Sequence, residues 1–260
     1  MNNVYETRTI AVCGKGGVGK TSFTALLVKL LSERDNLKIL AVDADPAIGL
    51  ATALGVEVSK TVDDIRNEII ANVKKGNKYE KMEILNMIDY EILDALSEDS
   101  NLALLAIGRP ETEGCYCQVN DLLKDIIKSL SANFDVVVID GEAGVEQINR
   151  RVMKTVDNLV IVSDTSAKGI NVAETIKHVA RDNRAVRFKK IGLVINRVRS
   201  ESEVVKILAN TSLELLGWIP EDDLIREYDF NGTSFMEFPD DSPTVEVIKQ
   251  VMENLGIDVT

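Results

Sequence analysis

The chain has 260 residues, 45% of them hydrophobic, which is enough for one large α/β domain or two small ones. Forty-two acidic residues against 30 basic ones give a net charge of −12, which disfavours binding to the phosphate backbone of nucleic acids. Three cysteines do not make a disulfide framework, no apolar run is long enough to cross a bilayer, and the N-terminus lacks a signal-peptide core, so we expect a cytoplasmic protein with reduced thiols.

The first predicted elements are a strand over residues 9–12, a glycine-rich turn and a helix over residues 22–31. The turn contains the complete G-x-x-x-x-G-K-[ST] pattern. Backbone N–H groups and the helix dipole there form an anion cradle, the lysine reaches the β- and γ-phosphates, and the threonine hydroxyl binds Mg²⁺. The sequence therefore predicts a nucleoside triphosphate site. Its residues are Gly14, Lys15, Gly16, Gly17, Val18, Gly19, Lys20, Thr21 and Ser22.

A second strand is predicted over residues 38–42, and two carboxylates, Asp43 and Asp45, follow it directly. Ligands of open α/β sheets bind outside the carboxyl ends of the strands, so these side chains are placed for Mg²⁺ and water beside the phosphate loop. Further along the chain, residues 63–73 and 82–96 have helical character, and a polar connection over residues 74–81 joins them.

A third strand over residues 101–107 is followed by a loop, an amphipathic helix over residues 119–130 and a strand over residues 134–139. The last of these strands ends in Asp140, the position expected for a Walker B carboxylate that supports Mg²⁺. The next four residues, Gly-Glu-Ala-Gly at 141–144, form a loop that we expect to respond to the γ-phosphate.

Strands and helices continue to alternate to the end of the chain. Strands are predicted over residues 158–162, 190–195 and 213–219, and helices over residues 170–180 and 244–255. This alternation predicts a mostly parallel, twisted sheet with helices on both faces. Because the sequence has no internal repeat and no linker, we expect one α/β P-loop NTPase domain over residues 1–260.

The phosphate loop has a second lysine, Lys15, directly after its first glycine. Gly-Lys-Gly-Gly-Val-Gly-Lys-Thr at 14–21 resembles the deviant Walker A motif of the family that includes MinD, ParA and the nitrogenase iron protein, and the resemblance runs from about residue 8 to residue 235. It implies an ATPase that forms a nucleotide-sandwich homodimer, in which Lys15 acts on the partner's phosphates like an arginine finger in trans.

The same resemblance implies roles for residues outside the loop. Lys15, Lys20 and Asp45 are the expected catalytic residues, with Asp45 orienting or activating the attacking water. Thr21, Asp43 and Asp140 are the expected Mg²⁺-supporting residues. The positions that resemble adenine-contacting ones follow two later strands and are Asn196, Arg197, Pro220 and Asp222.

Cys115 and Cys117 are separated by one residue in the loop before the third predicted helix. Two such thiolates bind one metal side by side and need a symmetric dimer to complete a four-thiolate shell. Soft thiolates suit Ni²⁺ or Zn²⁺. The alternative is a pair of small buried side chains, and the loop position after Gly114 favours metal ligands.

Gly-Cys-Tyr-Cys at 114–117, with Asn120 and the Glu-Ala-Gly at 142–144, closely resembles the nickel-insertion ATPases that mature carbon monoxide dehydrogenase and acetyl-CoA synthase, the CooC and AcsF proteins. The segment Glu146-Gln147 departs from that family, in which Glu-His is frequent. The resemblance implies an ATP-dependent metallochaperone whose partners are a second copy of the chain and a client nickel enzyme, with no nucleic acid and no membrane.

Two other functions remain open at this stage. A positioning ATPase of the ParA/MinD type would bind DNA or a membrane, and its cysteines would be structural. The net charge of −12 disfavours binding to DNA. Binding to a membrane is disfavoured because Lys249 is the only cation of the final predicted helix. An electron-donating iron–sulfur protein is disfavoured because no cysteine follows Cys117.

Overall fold

The computed structural model describes residues 7–74, 81–109, 117–142, 144, 148, 152–182 and 186–257, with the backbone alone at 72–74, 81–86, 117–120 and 182. The described part of the chain forms an eight-stranded sheet with helices on both faces. The strands are β1 (Arg8–Cys13), β2 (Ile39–Asp43), β3 (Ser97–Asp99), β4 (Leu102–Ala106), β5 (Val136–Asp140), β6 (Thr155–Ser163), β7 (Arg187–Val198) and β8 (Leu215–Pro220).

The helices lie between the strands or follow the last of them. They are α1 (Lys20–Ser32), α2 (Gly49–Leu54), α3 (Val62–Lys74), α4 (Lys81–Asp94), α5 (Cys117–Ser131), α6 (Ala167–Asp182), α7 (Glu201–Leu208), α8 (Asp223–Asn231) and α9 (Pro243–Asn254), with a short 3₁₀ turn at Phe235–Glu237. None of the helices in the described ranges is both long enough and apolar enough to cross a membrane.

The strand order is β3-β4-β2-β5-β1-β6-β7-β8, and among these strands β3 alone runs antiparallel to its neighbour. The central strands β2, β4 and β5 are buried along their whole length, as expected for a parallel sheet covered on both faces. Successive residues alternate between two cores. Leu40 and Val42 face the core that also contains residues of α3 to α7, whereas Ile39 and Ala41 face the core built with α1, α2 and α9.

This topology confirms the predicted α/β fold with a mostly parallel sheet, and it adds elements that the sequence pattern did not indicate. These are α2, α7, α8 and the edge strand β3. The apolar face of α8 is short and only partly buried, comprising Leu224, Ile225 and Tyr228, and β3 is three polar residues paired with β4. The connection predicted over residues 74–81 is shorter than expected, because α3 extends to Lys74 and α4 begins at Lys81. Residues 75–80 lie outside the described part.

The parallel strands bring their carboxyl ends to one edge of the sheet. Asp43 at the end of β2 is paired in register with Asp140 at the end of β5 and with Ala106 at the end of β4. The phosphate loop leaves the same edge after Cys13, at the end of the central strand β1. The fold therefore places the predicted phosphate loop and both strand-end carboxylates at one site.

Candidate nucleotide-binding site

The phosphate loop joins Cys13, the last residue of β1, to Lys20, the first residue of α1. Its backbone requires glycine at two close approaches. A Cβ on Gly14, where φ is 152°, would lie 2.0 Å from the carbonyl oxygen of Val162. A Cβ on Gly19, where φ is 91°, would lie 2.3 Å from Asn196 Nδ2. The loop is thus fitted between the ends of β6 and β7, which leaves no room for side chains at these positions.

Lys20 lies over the loop rather than in solvent. Its side chain is buried, and its Nζ donates a hydrogen bond to the carbonyl oxygen of Lys15 at 3.4 Å. The ammonium group is therefore already held inside the turn at the N-terminus of α1, where backbone N–H groups and the helix dipole favour an anion. This arrangement suits the binding of a polyphosphate.

Thr21 and Asp140, two of the predicted Mg²⁺ residues, are in direct contact. Thr21 Oγ1 donates to Asp140 Oδ2 at 2.8 Å, and Thr24 Oγ1 donates to Asp140 Oδ1 at 3.1 Å. Burial raises the pKa of Asp140 to about 6, and the two hydroxyl hydrogen bonds and the charge of Lys20 oppose that rise. These groups are hard oxygen donors, which fits Mg²⁺.

Asp43 lies beside Asp140 in the sheet but is bonded to the backbone that follows it. Its Oδ1 accepts from the N–H of Asp45 at 3.1 Å, and its Oδ2 accepts from the N–H of Leu50 at 2.8 Å and of Ala51 at 3.4 Å. Burial raises the pKa of Asp43 to about 7, with a further contribution from the charge of Asp140. The carboxylate therefore orders the turn that contains Asp45 and the start of α2.

Asp45 lies in that turn, partly exposed. Its Oδ1 accepts from the N–H of Ala47 at 2.9 Å, and its charge acts on Asp140, whose pKa it raises. The turn folds against the phosphate loop, since a Cβ added to Gly49 would lie 3.6 Å from Thr21 Cγ2. The turn that contains Asp45 therefore leads into a helix whose first residue lies beside Thr21, directly after the phosphate loop.

Lys15 forms an ion pair within its own chain. Its Nζ lies 3.2 Å from Oδ2 of Asp164, the residue that follows β6. Although burial alone would raise the pKa of Asp164, hydrogen bonds from Ser166 and Lys15 lower it, so the carboxylate stays ionised. Sequence analysis missed Asp164. The sequence feature that could have identified it is an acidic residue at the carboxyl end of a strand, which Asp164 shares with Asp43 and Asp140.

A cavity of about 470 Å³ opens beside the phosphate loop, and the four predicted adenine positions line it. Asn196 Nδ2 donates to the carbonyl oxygen of Val18 at 2.8 Å, and Arg197 has the left-handed φ of 60°. The side chain of Asp222 has a structural role, since it accepts from the N–H of Leu224 at 2.9 Å and from Thr244 Oγ1 at 2.7 Å. These hydrogen bonds hold the Asp222 side chain at the N-terminus of α8.

A second residue missed by sequence analysis, Asp229 on α8, lines the same cavity. Both of its carboxylate oxygens lie 3.1 Å from Oγ of Ser22, which follows the phosphate loop on α1. Burial raises the pKa of Asp229, and the hydrogen bond from Ser22 opposes the rise. The pair connects α8 directly to the helix at which the phosphates are expected.

The predicted thiolate metal site falls largely outside the described residues. Cys115 is not described, and Cys117 is the first residue of α5, with its backbone alone described. No group of three or more His, Cys, Asp or Glu side chains able to hold a metal occurs among the residues that the structure describes, a set that contains neither of these thiols. The Ni²⁺ or Zn²⁺ site therefore stays a prediction. Cys13 is a separate, buried thiol whose pKa burial raises to about 12.

Comparison with known proteins agrees with this geometry. Residues 9–235 match the CobQ/CobB/MinD/ParA nucleotide binding domain. An uncharacterized ATP-binding protein of Methanocaldococcus jannaschii is 40% identical over 248 residues, which cover 95% of this chain and 97% of that protein. The carbon monoxide dehydrogenase accessory protein CooC of Rhodospirillum rubrum is 32% identical over 239 residues, which cover 86% of this chain and 88% of that protein.

Solved structures resemble the chain over nearly its whole length. A chain of the MinC:MinD cell division protein complex of Aquifex aeolicus matches with a TM-score of 0.69 and 20% identity, covering 97% of this chain and 96% of that one. The septum site-determining protein MinD of Pyrococcus horikoshii, complexed with Mg-ADP, matches with a TM-score of 0.64 and 23% identity, covering 96% of each chain. At 20% and 23% identity, the similarity to these structures establishes the fold alone.

Proposed function

The chain belongs to the family of CobQ/CobB/MinD/ParA nucleotide-binding domains, and from this premise we propose that it is an ATP-dependent maturation ATPase. It hydrolyses ATP as a homodimer and inserts nickel into a client enzyme of the carbon monoxide dehydrogenase/acetyl-CoA synthase type. The observation that carries the proposal is the 32% identity with CooC, which extends over 86% of the chain rather than over the phosphate loop alone.

ATP binding uses the loop at Gly14 to Ser22. Lys20 would bind the β- and γ-phosphates, and the oxygens Thr21 Oγ1 and Asp140 Oδ2, which lie 2.8 Å apart, would hold Mg²⁺. When bound, Mg²⁺ supplies the positive charge that neutralises the phosphates. Asp43 acts through the backbone, because its oxygens hold the turn that positions Asp45.

Hydrolysis requires two chains. Asp45 orients the attacking water. The Lys15 side chain reaches across the dimer interface and stabilises the charge that develops on the phosphates bound to the partner subunit. A cation that acts only in the closed dimer couples hydrolysis to dimerisation, since neither subunit alone completes the site.

Metal binding is assigned in this proposal to the segment that joins β4 to α5. The loop that contains Cys115 begins after β4, whose last residue, Ala106, is paired in register with Asp43. It ends where α5 begins, at Cys117. The end of β4 lies beside Asp43 at the carboxyl edge of the sheet, and we propose on this basis that a dimer closing over two nucleotides also brings two Cys-Tyr-Cys segments toward each other. Each chain contributes two of the four thiolates to one transferred Ni²⁺.

The test is metal stoichiometry combined with sedimentation, on protein incubated with Ni²⁺ or Zn²⁺ in the presence of ADP or non-hydrolysable ATP. We expect one metal ion per two chains and a nucleotide-dependent change in metal affinity, because two linked sites must alter each other's affinity by the same factor. Replacing both Cys115 and Cys117 by serine should abolish metal binding and leave ATP binding intact.

Cys13→Ala is the matched control, because this thiol is buried behind the phosphate loop with a pKa of about 12 and should not bind metal. Metal retained by the double-serine variant would refute the thiolate site. If the wild-type protein bound no thiol-dependent metal and instead sedimented with DNA or anionic vesicles, the chain would be a positioning ATPase with structural cysteines.

A further inference from the structure

A second large cavity lies at the end of the sheet opposite the nucleotide site. Its volume is about 730 Å³, which is within the range of small-molecule sites. It opens beneath the amino-terminal ends of β1, β5, β6 and β7. The residues that follow α1 and α9 close its sides, and they include Arg34 and Leu255.

Two buried N–H donors belong to side chains that line this cavity. Arg34 Nη2 and Asn158 Nδ2 have no hydrogen-bond partner among the residues that the structure describes. Asn158 is 4% exposed and lies within β6, between Ile10 of β1 and Lys190 of β7. A buried donor without an acceptor costs about 1–3 kcal/mol, so buried donors in proteins are normally met by protein, water or a ligand. Both atoms are donors, so the missing partner is an acceptor.

The charge of the cavity is opposite in sign to that of the protein. The chain as a whole has a net charge of −12, whereas the cavity is lined by four cations and two carboxylates. These residues are Arg8, Arg34, Lys189, Lys190, Asp135 and Asp157.

Both carboxylates are already bonded to the start of a strand. Asp157 Oδ2 accepts from the N–H and the hydroxyl of Thr9, each at 2.8 Å, and Asp135 Oδ2 accepts from the N–H of Lys38 at 2.8 Å. Lys189 Nζ lies 2.8 Å from Asp157 Oδ1, Lys190 Nζ lies 3.1 Å from Glu214 Oε1, and Arg8 donates to the carbonyl oxygens of Leu255 and Gly256. Arg34 forms no ion pair among the described residues, so its guanidinium is the cation available to an anion that enters the cavity.

We propose that this cavity binds a small anion whose carboxylate or phosphate oxygens accept hydrogen bonds from Arg34 and Asn158. Arg34 supplies a positive charge and an N–H group, and Asn158 supplies a second N–H group from strand β6. A charge-assisted hydrogen bond in such a partly enclosed site is about twice as strong as a neutral one, so Arg34 should contribute most of the affinity. The site is separate from the phosphate loop, because it lies at the other end of β1.

The experiment is isothermal titration of inorganic phosphate and, separately, of succinate into the full chain saturated with Mg²⁺ and ADP, which fills the phosphate loop. We expect saturable binding of at least one of the two anions, weakening as ionic strength rises. Preference for phosphate or for succinate identifies the acceptor group. Arg34→Gln should weaken binding by about tenfold or more, the loss expected for one charged hydrogen bond.

Lys38→Gln is the matched control, because Lys38 is exposed at the same end of the sheet and does not line the cavity. The affinity of this variant for the anion should equal that of the wild type. Asn158→Leu should also weaken binding and abolish the rise in melting temperature that the anion produces in the wild type. Arg34 is partly exposed, so its variant should fold even if the Asn158 variant does not. Absence of saturable binding at millimolar concentrations, or equal binding by Arg34→Gln and the wild type, would overturn the proposal.

Discussion

Lys15 Nζ lies 3.2 Å from Asp164 Oδ2 within a single chain, with 30% and 23% of the two side chains exposed. The residues are 149 positions apart and meet because β1 and β6 are parallel neighbours in the sheet. Asp164 is itself fixed, since it accepts from the N–H of Ser166 at 3.1 Å and from the Ser166 hydroxyl. The lysine that we expect to act on the partner's nucleotide is thus held by its own subunit and must leave this ion pair when the dimer closes.

Asp164→Asn should therefore favour dimerisation. The substitution removes the charge that competes for Lys15, and a partly exposed ion pair contributes up to about 1 kcal/mol, or about fivefold in an equilibrium constant. We expect sedimentation velocity to show half-maximal dimerisation at an ATP concentration lower by up to that factor. Glu246→Gln, which removes the exposed pair with Lys249 on α9, is the control and should change nothing. A variant that needs more ATP than the wild type would show that Asp164 supports the closed dimer.

The two loop lysines should differ in what they do. Lys15→Ala should keep nucleotide binding by the monomer and lose dimerisation and hydrolysis together, because its charge acts on phosphates only across the interface. Lys20→Ala should lose nucleotide binding itself, because this buried ammonium lies inside the phosphate loop. Titration of a fluorescent ATP analogue and steady-state hydrolysis distinguish the two variants. A stable, active dimer of Lys15→Ala would refute the trans role.

The sequence predicted the parts of the site that depend on local pattern. The loop, Asp43 and Asp140 could be predicted because each follows an apolar strand, and all such strand ends meet at one edge. Asp164 and Asp229 could not be assigned partners in the same way. The contact between Asp164 and Lys15 depends on β6 lying beside β1, and the alternation of strands and helices does not specify that neighbour.

Asp229 was missed for a different reason. It lies on α8, whose apolar residues Leu224, Ile225 and Tyr228 are only partly buried, and the sequence alone does not show that this helix lies beside α1, where the Asp229 carboxylate is 3.1 Å from Ser22 Oγ. The role of Asp43 could be predicted only in part from the sequence. A carboxylate at a strand end predicts a metal site, but the pattern does not show whether the side chain faces a ligand or the backbone. Its hydrogen bonds to Leu50 and Asp45 could be known only from the fold of the following turn.

Asp45→Ala should separate binding from hydrolysis. The side chain contacts the backbone of Ala47 and lies outside the phosphate loop, so ATP affinity should change little. Loss of water orientation should lower the hydrolysis rate by about 10²-fold or more, within the range for a general base. The variant should accumulate as an ATP-bound dimer, visible by size-exclusion chromatography with ATP. Wild-type hydrolysis would transfer the catalytic role to another carboxylate near the loop, such as Glu142.

The buried pair of Asp43 and Asp140 predicts how the stability of the nucleotide-free protein depends on pH. Burial raises the pKa of Asp43 to about 7 and that of Asp140 to about 6, both above the ordinary pKa of 3.8 for an aspartate. Between pH of about 4 and 7 the folded state therefore binds more protons than the unfolded state, and the free energy of unfolding falls as pH rises through this window. Above pH of about 7 this contribution is fully lost.

Asp43→Asn should reduce that dependence. The amide cannot ionise, and its oxygen can still accept the hydrogen bond from the N–H of Leu50, which the carboxylate accepts at 2.8 Å. Relative to the wild type, the variant should gain stability between pH 5 and pH 8, on the order of 2 kcal/mol, because only the wild type must ionise a buried acid. Urea unfolding at both pH values, with EDTA and without nucleotide, measures the difference, and Asp99→Asn on the exposed edge strand β3 serves as the control. If the stability difference between Asp43→Asn and the wild type were the same at both pH values, Asp43 would already be ionised at pH 5, and the paired hydrogen bonds of the turn would outweigh its burial.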